Sequence, residues 1–222
     1  MIKKIISLIC LLYAGPLWAG NITIDATERV DYHQKEQKIV VKGNAVVTKD
    51  SLHIKAETLV GYYAPKSKNK FSKIEGFKDI KIKTPNGVLT ADGEFVYYDK
   101  EEKAVAKNNV VITDIKGNTV KADLMTAYLA KDKQGNFLIK NIEIEKNIRI
   151  TNQDTIVTAD NGSYNAAKGH IVLSNNVVIR QKGNILKGSK AETDLNTGIS
   201  RILSGKNSNR VSGVFEEKKK KD

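Results

Sequence analysis

From residue 44 the chain reads NAVVTKDSLHIKAE, and its apolar positions alternate instead of recurring every three or four residues. Ala45 and Val47 fall on one side of an extended segment, with Val46 on the other. After a polar turn at Lys49-Asp50, Ile54 and Ala56 resume the first side. Period-two alternation of this kind predicts a strand with one apolar and one polar face, and the turn between two such runs predicts a hairpin.

The same phrase is written four more times, as DIKIKTPNGVLTAD (79–92), NVVITDIKGNTVKAD (109–123), NIRITNQDTIVTAD (147–160) and NVVIRQKGNILKGS (176–189). Each copy starts with a polar residue, usually Asn, and ends on a small one: Ala56, Ala91, Ala122, Ala159 or Gly188. Starts lie 29 to 38 residues apart. A repeat of that length is one supersecondary unit that buries its apolar face only by stacking on its neighbours. A partial copy precedes them, since ITIDATERVDY (22–32) matches VLTADGEFVYY (88–98) with Ala26 under Ala91 and Tyr32 under Tyr97. The turns carry Lys-Asp, Pro-Asn-Gly, Lys-Gly-Asn or Asn-Gln-Asp, residues suited to tight reversals. After each hairpin a further strand is expected to end in Tyr, at Tyr62, Tyr97, Tyr128 and Tyr164.

The pattern predicts roughly 12 to 16 short antiparallel strands and no helix after residue 20. An apolar face that long cannot stay open to water, so the sheet must fold over on itself or close, as a jelly roll, sandwich or solenoid does. The small residue ending each return strand has two readings. It makes room where two sheet walls come close, or it leaves an interior that its own side chains do not fill and that admits an apolar guest.

The first twenty residues change the picture. A basic start (Lys3, Lys4), an apolar run from Ile5 to Tyr13 and small residues up to Ala19 form a secretory signal, expected to be cleaved after Ala19. Cys10 lies inside it, and Ile9 is too bulky for a lipoprotein cleavage box, so the exported chain would have neither a disulfide nor a lipid anchor. A net charge of +12 favours anionic partners; in an exported protein that means an anionic lipid or glycolipid and not nucleic acid. The expected domains are residues 1–19 as signal, 20–215 as one β domain and 216–222, rich in lysine, as a solvated tail.

Candidate chemistry is sparse. His33, His53 and His170 stand apart in the sequence, and no nucleophile elbow, phosphate loop or catalytic carboxylate pair is present. The recurrent Asp25, Asp92, Asp123 and Asp160 read as strand-end residues on the polar face. No enzymatic activity, metal or cofactor is expected.

GNAVVTKDSLHIKAETLVGYY (43–63), with the ITID opening at 22–25, LSNNVVIRQKGNILKGSKAETDL (173–195) and RVSGVFE (210–216), resembles the LptA/OstA family of periplasmic lipopolysaccharide-transport proteins. The resemblance implies an all-β fold: an elongated, twisted, OstA-like β-jelly roll of stacked antiparallel strands, open at both ends. It implies that lipopolysaccharide, through its lipid A moiety, is carried in the apolar interior between inner and outer membranes. The interior would be lined by Val47, Ile54, Ile80, Ile82, Leu89, Val110, Ile112, Val120, Ile148, Ile150, Val157, Val177, Ile179 and Leu186. Ile22 and Ile24 would form the N-terminal edge, meeting an LptC-like inner-membrane protein. Val211, Gly213 and Phe215 would form the C-terminal edge, meeting an LptD-like outer-membrane protein, and copies would join head to tail. Lys81, Arg149 and Arg180 are candidates for lipid phosphates, against a role in solubility on the outward face. Two other readings stay open: an LptC-like inner-membrane component, and an exported structural β-solenoid with a self-filled core.

Overall fold

The computed structural model describes residues 22–65, 70–133, 137–205 and 210–215, so the expected signal (1–19) and the charged end (216–222) lie outside the described residues. The described chain is all-β, one antiparallel sheet of 16 strands. Two short strands, β1 (Ile22–Asp25) and β2 (Arg29–His33), precede the hairpin of β3 (Lys38–Lys49) and β4 (Leu52–Tyr63). Then come β5 (Phe71–Phe77), β6 (Ile80–Thr84), β7 (Gly87–Ala91) and β8 (Glu94–Tyr98). The long strands follow in order: β9 (Lys103–Asp114), β10 (Thr119–Lys131), β11 (Phe137–Asn152), β12 (Thr155–Asn165), β13 (His170–Gln181) and β14 (Asn184–Asp194). The last two are β15 (Ser200–Leu203) and β16 (Ser212–Val214). The five expected hairpins are β3–β4, β6–β7, β9–β10, β11–β12 and β13–β14.

Many strands are longer than the pattern predicted, because the return strand and the following Tyr-ended strand are one strand, bent in the middle. The bend explains the polar residue that opens each repeat. Gly43-Asn44, Lys78-Asp79, Asn108-Asn109, Lys146-Asn147 and Asn175-Asn176 all have φ between +45° and +80°. Asn and Gly reach the left-handed region at low cost, so two such residues in succession turn the chain through a corner. Register slips at these points, between Lys42 and Ala45, Glu145 and Ile148, and Ser174 and Val177. The corners are clasped across strands. Asn109, Asn147 and Asn176 each donate from Nδ2 to the Oδ2 of Asp92, Asp123 and Asp160, at 2.8, 2.6 and 2.7 Å. Three of the four repeated aspartates, Asp92, Asp123 and Asp160, are therefore corner fasteners, which the reading of strand-end residues left unstated.

Bent strands divide the sheet into two walls. One runs β1-β3-β4-β6-β7 and on through the later halves of β9, β11 and β13 to β16. The other runs β2-β3-β4-β5-β8 and through the complementary halves to β15. Their apolar faces share one buried cluster that contains Val41, Leu59 and Phe95 of the second wall and Ala45, Ile80 and Ile148 of the first. This closure answers the exposure problem of a long apolar sheet: a jelly roll of stacked strands.

The small residues sit at the apex where the walls join. Ala45, Ala56, Ala91 and Ala122 are at most 1% exposed; Ala45 pairs with Ala56, Ala91 with Ile80 and Ala122 with Val110 across the ladders. A methyl placed on Gly76 of the second wall would stand 3.6 Å from both Ala56 Cβ and Ile80 Cγ1 of the first. Alanine at this row thus makes room for the opposite wall. At the far end Gly188 does the same for β15, since a Cβ there would come within 2.9 Å of the Leu203 carbonyl oxygen.

Candidate functional site: the apolar row between the walls

Above the apex, strand register lines up a second row in the first wall: Ile24, Val47, Ile54, Ile82, Leu89, Ile112, Val120, Ile150, Val157, Ile179, Leu186 and Gly213. Each residue faces the next on the neighbouring strand, so the row runs without interruption from one edge strand to the other. Burial falls from the apex outwards. Ile80, Val110, Ile148 and Val177 are sealed at 1% exposure or less, while Val47, Ile112, Ile179 and Leu186 of the second row are half-buried. The fourteen expected interior residues therefore divide into an apex group of four and a second-row group of ten.

The residues of the facing wall were not foreseen. It supplies Val41, Leu59, Gly76, Phe95, Ala106, Met125, Ile144, Gly162, Leu173, Ala191 and Ile202 in one register line, with large side chains interleaved with small ones. The signal was present as alternation in segments such as IEIE (142–145), but it lay outside the repeated hairpins. The Tyr series also splits. Tyr97 faces inward, opposite Ile74 and Ala104, whereas Tyr62 and Tyr128 face outward, opposite Lys38 and Lys103. Tyr164 also faces inward, opposite Ile142. Tyr98, next to Tyr97, faces outward, with Lys73 Nζ 4.5 Å from the Tyr62 ring centroid and 6.0 Å from that of Tyr98. A one-residue difference in register reverses the face.

Lys81, Arg149 and Arg180 are exposed and lie opposite Lys55, Lys121 and Ile156, on the outward face of the first wall. They are one position out of phase with the interior row. Inside, the cation is Lys49, in phase with Ala45 and Val47 and 6% exposed. It stands at the hairpin-turn lip of the first wall, where inward positions become polar: Thr84, Asp114, Asn152 and Thr155.

The space between the walls is uneven. Near the N-terminal edge, Ile22, Ile24, Val47, Ile54, Ile39, Val41, Leu59 and Ile74 line an apolar cleft with a cavity volume of 40 Å³. Its neighbour, also 40 Å³, is lined by Leu52, Phe71, Tyr97 and Lys49 among others. That is about the room of one water molecule, so the walls are nearly in contact. A larger concavity of 720 Å³ involves Asn176, Val178, Lys187 and Arg210. Val178 and Lys187 point outward, away from the apolar row, so this hollow belongs to the outer surface.

A polar latch holds the outer lip of the second wall. Asp99 accepts from Lys131 Nζ at 2.8 Å and Tyr97 Oη at 3.1 Å, and pairs with Lys70 Nζ at 2.8 Å. Burial acts to raise the Asp99 carboxyl, but the hydrogen bonds from Lys131, Lys70 and Tyr97 outweigh it and hold the group below the usual carboxylate range. A carboxylate with a lowered folded pKa contributes stability that is present above its unfolded pKa, about 3.9, and lost as pH falls through the folded value. Asp99→Asn is expected to lower unfolding free energy by about 2 kcal/mol at neutral pH. In urea titrations the difference from wild type should shrink below about pH 4; a pH-independent difference would remove the charge from the account.

Among the described residues no group of three or more His, Cys, Asp or Glu is placed to hold a metal ion, and no helix is long and apolar enough to cross a membrane. The chain matches the family model described as "LptA/(LptD N-terminal domain) LPS transport protein" over residues 23–133 and again over 118–199. The chain belongs to this family. The two matches overlap at β10, which both include, so the family's module is matched twice along the chain, as in a repeat. No curated protein matches it. Among solved structures it is similar to LptH of Pseudomonas aeruginosa, described as the LptA homologous periplasmic component of the conserved lipopolysaccharide transport device. That match has 14% identity and a TM-score of 0.26, and covers 89% of this chain and 96% of LptH.

Both ends of this LptA/LptD_N sheet are open among the described residues: β1 and β2 pair only with β3, and β15 and β16 only with β14. Exposed apolar side chains collect there. Ile22, Val30 and Tyr32 lie at one end and Leu203, Val211, Val214 and Phe215 at the other. Of the expected edge residues, Ile22 and Ile24 lie on β1 and Gly213 on β16, while Val211 and Phe215 flank β16.

Proposed function

We propose that this member of the lipopolysaccharide-transport family carries the acyl chains of lipid A between its two walls, along the second row, and that it works in the periplasm as a bridge between inner and outer membranes. The observation that supports this most is the unbroken aliphatic line from Ile24 on β1 to Leu186 and Gly213 at β16. At about 0.8 kcal/mol per methylene, one 14-carbon chain costs about 10 kcal/mol to expose to water. A row of near-identical side chains lets that chain step from strand to strand without a deep minimum at any one place. The walls stand nearly in contact, so an acyl chain would part them and replace the apolar contacts that each wall gives up.

The open edges fit a chain of such molecules. Unpaired strands β1 and β2 would accept an LptC-like partner or the C-terminal edge of another copy, and β15 and β16 would meet the next copy or an LptD-like partner, by strand addition. Residues 1–19 are read as the export signal, cleaved after Ala19, and 20–215 as the working domain.

Photocrosslinkers at Ile82, Ile112 and Ile150 are expected to capture lipopolysaccharide, and one at Lys121, exposed beside Arg149, is not. Equal labelling of both faces would sink the proposal. The tight packing of the apex favours a second reading, a structural β-solenoid with a self-filled core; labelling at none of the four positions selects it.

A further inference from the structure

The 720 Å³ hollow on the outer surface spans the last strands of the first wall, where Asn175 and Asn176 of β13, Lys187 and Ser189 of β14, and Arg210 and Ser212 line it. No carboxylate is among the lining residues, and Asp160, across the corner, gives an oxygen to the Asn176 amide at 2.7 Å. Lys187 and Arg210 are exposed and make no ion pair among the described residues. The opposite end of the sheet carries the opposite charge. Asp25 ends β1 and Glu28 follows it in the corner before β2, both exposed and likewise without an ion pair among the described residues. Arg29, the cation beside them, is held by Asp31 at 2.7 Å.

We propose that this hollow is a socket for the β1–β2 corner of a second copy, in which Asp25 and Glu28 of that copy meet Lys187 and Arg210. The inference rests on the head-to-tail joining proposed above and adds what fixes its polarity and register. Ile24 and Gly213 are the end members of the second row, so an unbroken row across the joint sets Gly213 opposite Ile24 of the second copy. Antiparallel addition then puts Ser212 opposite its Asp25, and Arg210 opposite its Thr27, next to its Glu28. Lys187 already faces Ser212, so Asp25 of the second copy lies two strands, about 10 Å, from Lys187 on the same outward face. A long lysine side chain reaching over the small Ser212 closes that gap.

The backbone alone leaves this register open, because β16 has only three residues, Ser212–Val214. A slip of one residue turns Ile24 outward, and a slip of two keeps the apolar faces together but moves the acids off the cations. Two heads would bring acid against acid and two tails base against base, so the charges also select head against tail.

The test is sedimentation equilibrium of the full exported chain at low ionic strength. Wild type is expected to self-associate, and more weakly as salt rises. Loss of one exposed ion pair costs little, but Lys187→Glu with Arg210→Glu sets four acids at the joint and should weaken association at least about tenfold. Adding Asp25→Lys and Glu28→Lys to the same chain should restore it, because all four positions are exposed and the pairing is merely inverted. Unchanged association of the acidic-tail variant overturns the socket and leaves joining by strand addition standing. Failure of the fourfold variant to recover also overturns it, since the loss is then not one of pairing. An acidic-tail variant that associates like wild type but no longer captures an LptD-like protein would assign the hollow to that partner, against the inference. A wild type that stays monomeric removes self-joining from the proposed function as well.

Discussion

Ile148→Ala is expected to lower unfolding free energy by about 3 kcal/mol, within the span observed when buried aliphatics are cut to alanine. Ile148 is 1% exposed and faces Ala159 on the neighbouring strand. Its Cδ1 comes within 3.3 Å of the place a Cβ on Gly162 would take, so it fills the narrow space where the walls meet. The site cannot collapse to refill that space. Asn147, next in the chain, is fixed to Asp123 at 2.6 Å, and the backbone is held by ladders to β10 and β12. The cost therefore includes a cavity as well as lost transfer free energy. Ile179→Ala, at a half-buried position of the second row, is expected to cost about 1 kcal/mol, because exposed atoms lose less. Urea midpoints of the two variants with unchanged slopes check the contrast. Equal losses would mean that the apex and the second row are not distinct layers.

The second large effect concerns the path. Ile112→Glu puts a carboxylate near the middle of the row, between Leu89 and Val120. The position is half-buried, so the carboxylate reaches water and the fold is expected to survive with a loss of about 1–2 kcal/mol. A sliding acyl chain meets a hydrated charge there, which it can displace only by stripping its water. Lipopolysaccharide loaded from the N-terminal end should then still crosslink to a probe at Val47, while capture at Ile179 falls at least about tenfold, the equivalent of roughly 1.4 kcal/mol. Undiminished capture at Ile179 would show that lipid does not travel in single file along this row.

Much of the site was legible as phase. Period-two alternation in the five hairpins was enough to place Ile82, Leu89, Ile150 and Val157 on one face, because a strand sends side chains to its two sides in strict turn. Where phase was carried across a corner or between unlike strands, it failed. Tyr97 was grouped with Tyr62, Tyr128 and Tyr164, but it lies on the other face from Tyr62 and Tyr128, since β7 and β8 are joined through Asp92-Gly93 and not through one continuous strand; Tyr164, one residue nearer its small residue Ala159 than Tyr62 is to Ala56, also faces inward. Lys81 and Arg149 looked useful for phosphate because of their charge. Their phase, one residue off Ile82 and Ile150, already placed them outside.

The sequence by itself determined the strand faces, the hairpins and the repeat, since these depend on neighbours a few residues apart. It also marked each corner, through the Asn or Asp that tolerates a left-handed backbone. Only the tertiary structure decided which faces oppose each other and how far apart they stand. The apex alanines make room for the other wall, Gly188 admits β15, the second wall supplies half of the interior, and Lys49 points into an apolar cleft. These follow from contacts between residues distant in the chain, and local periodicity holds no information about the distance between two sheets.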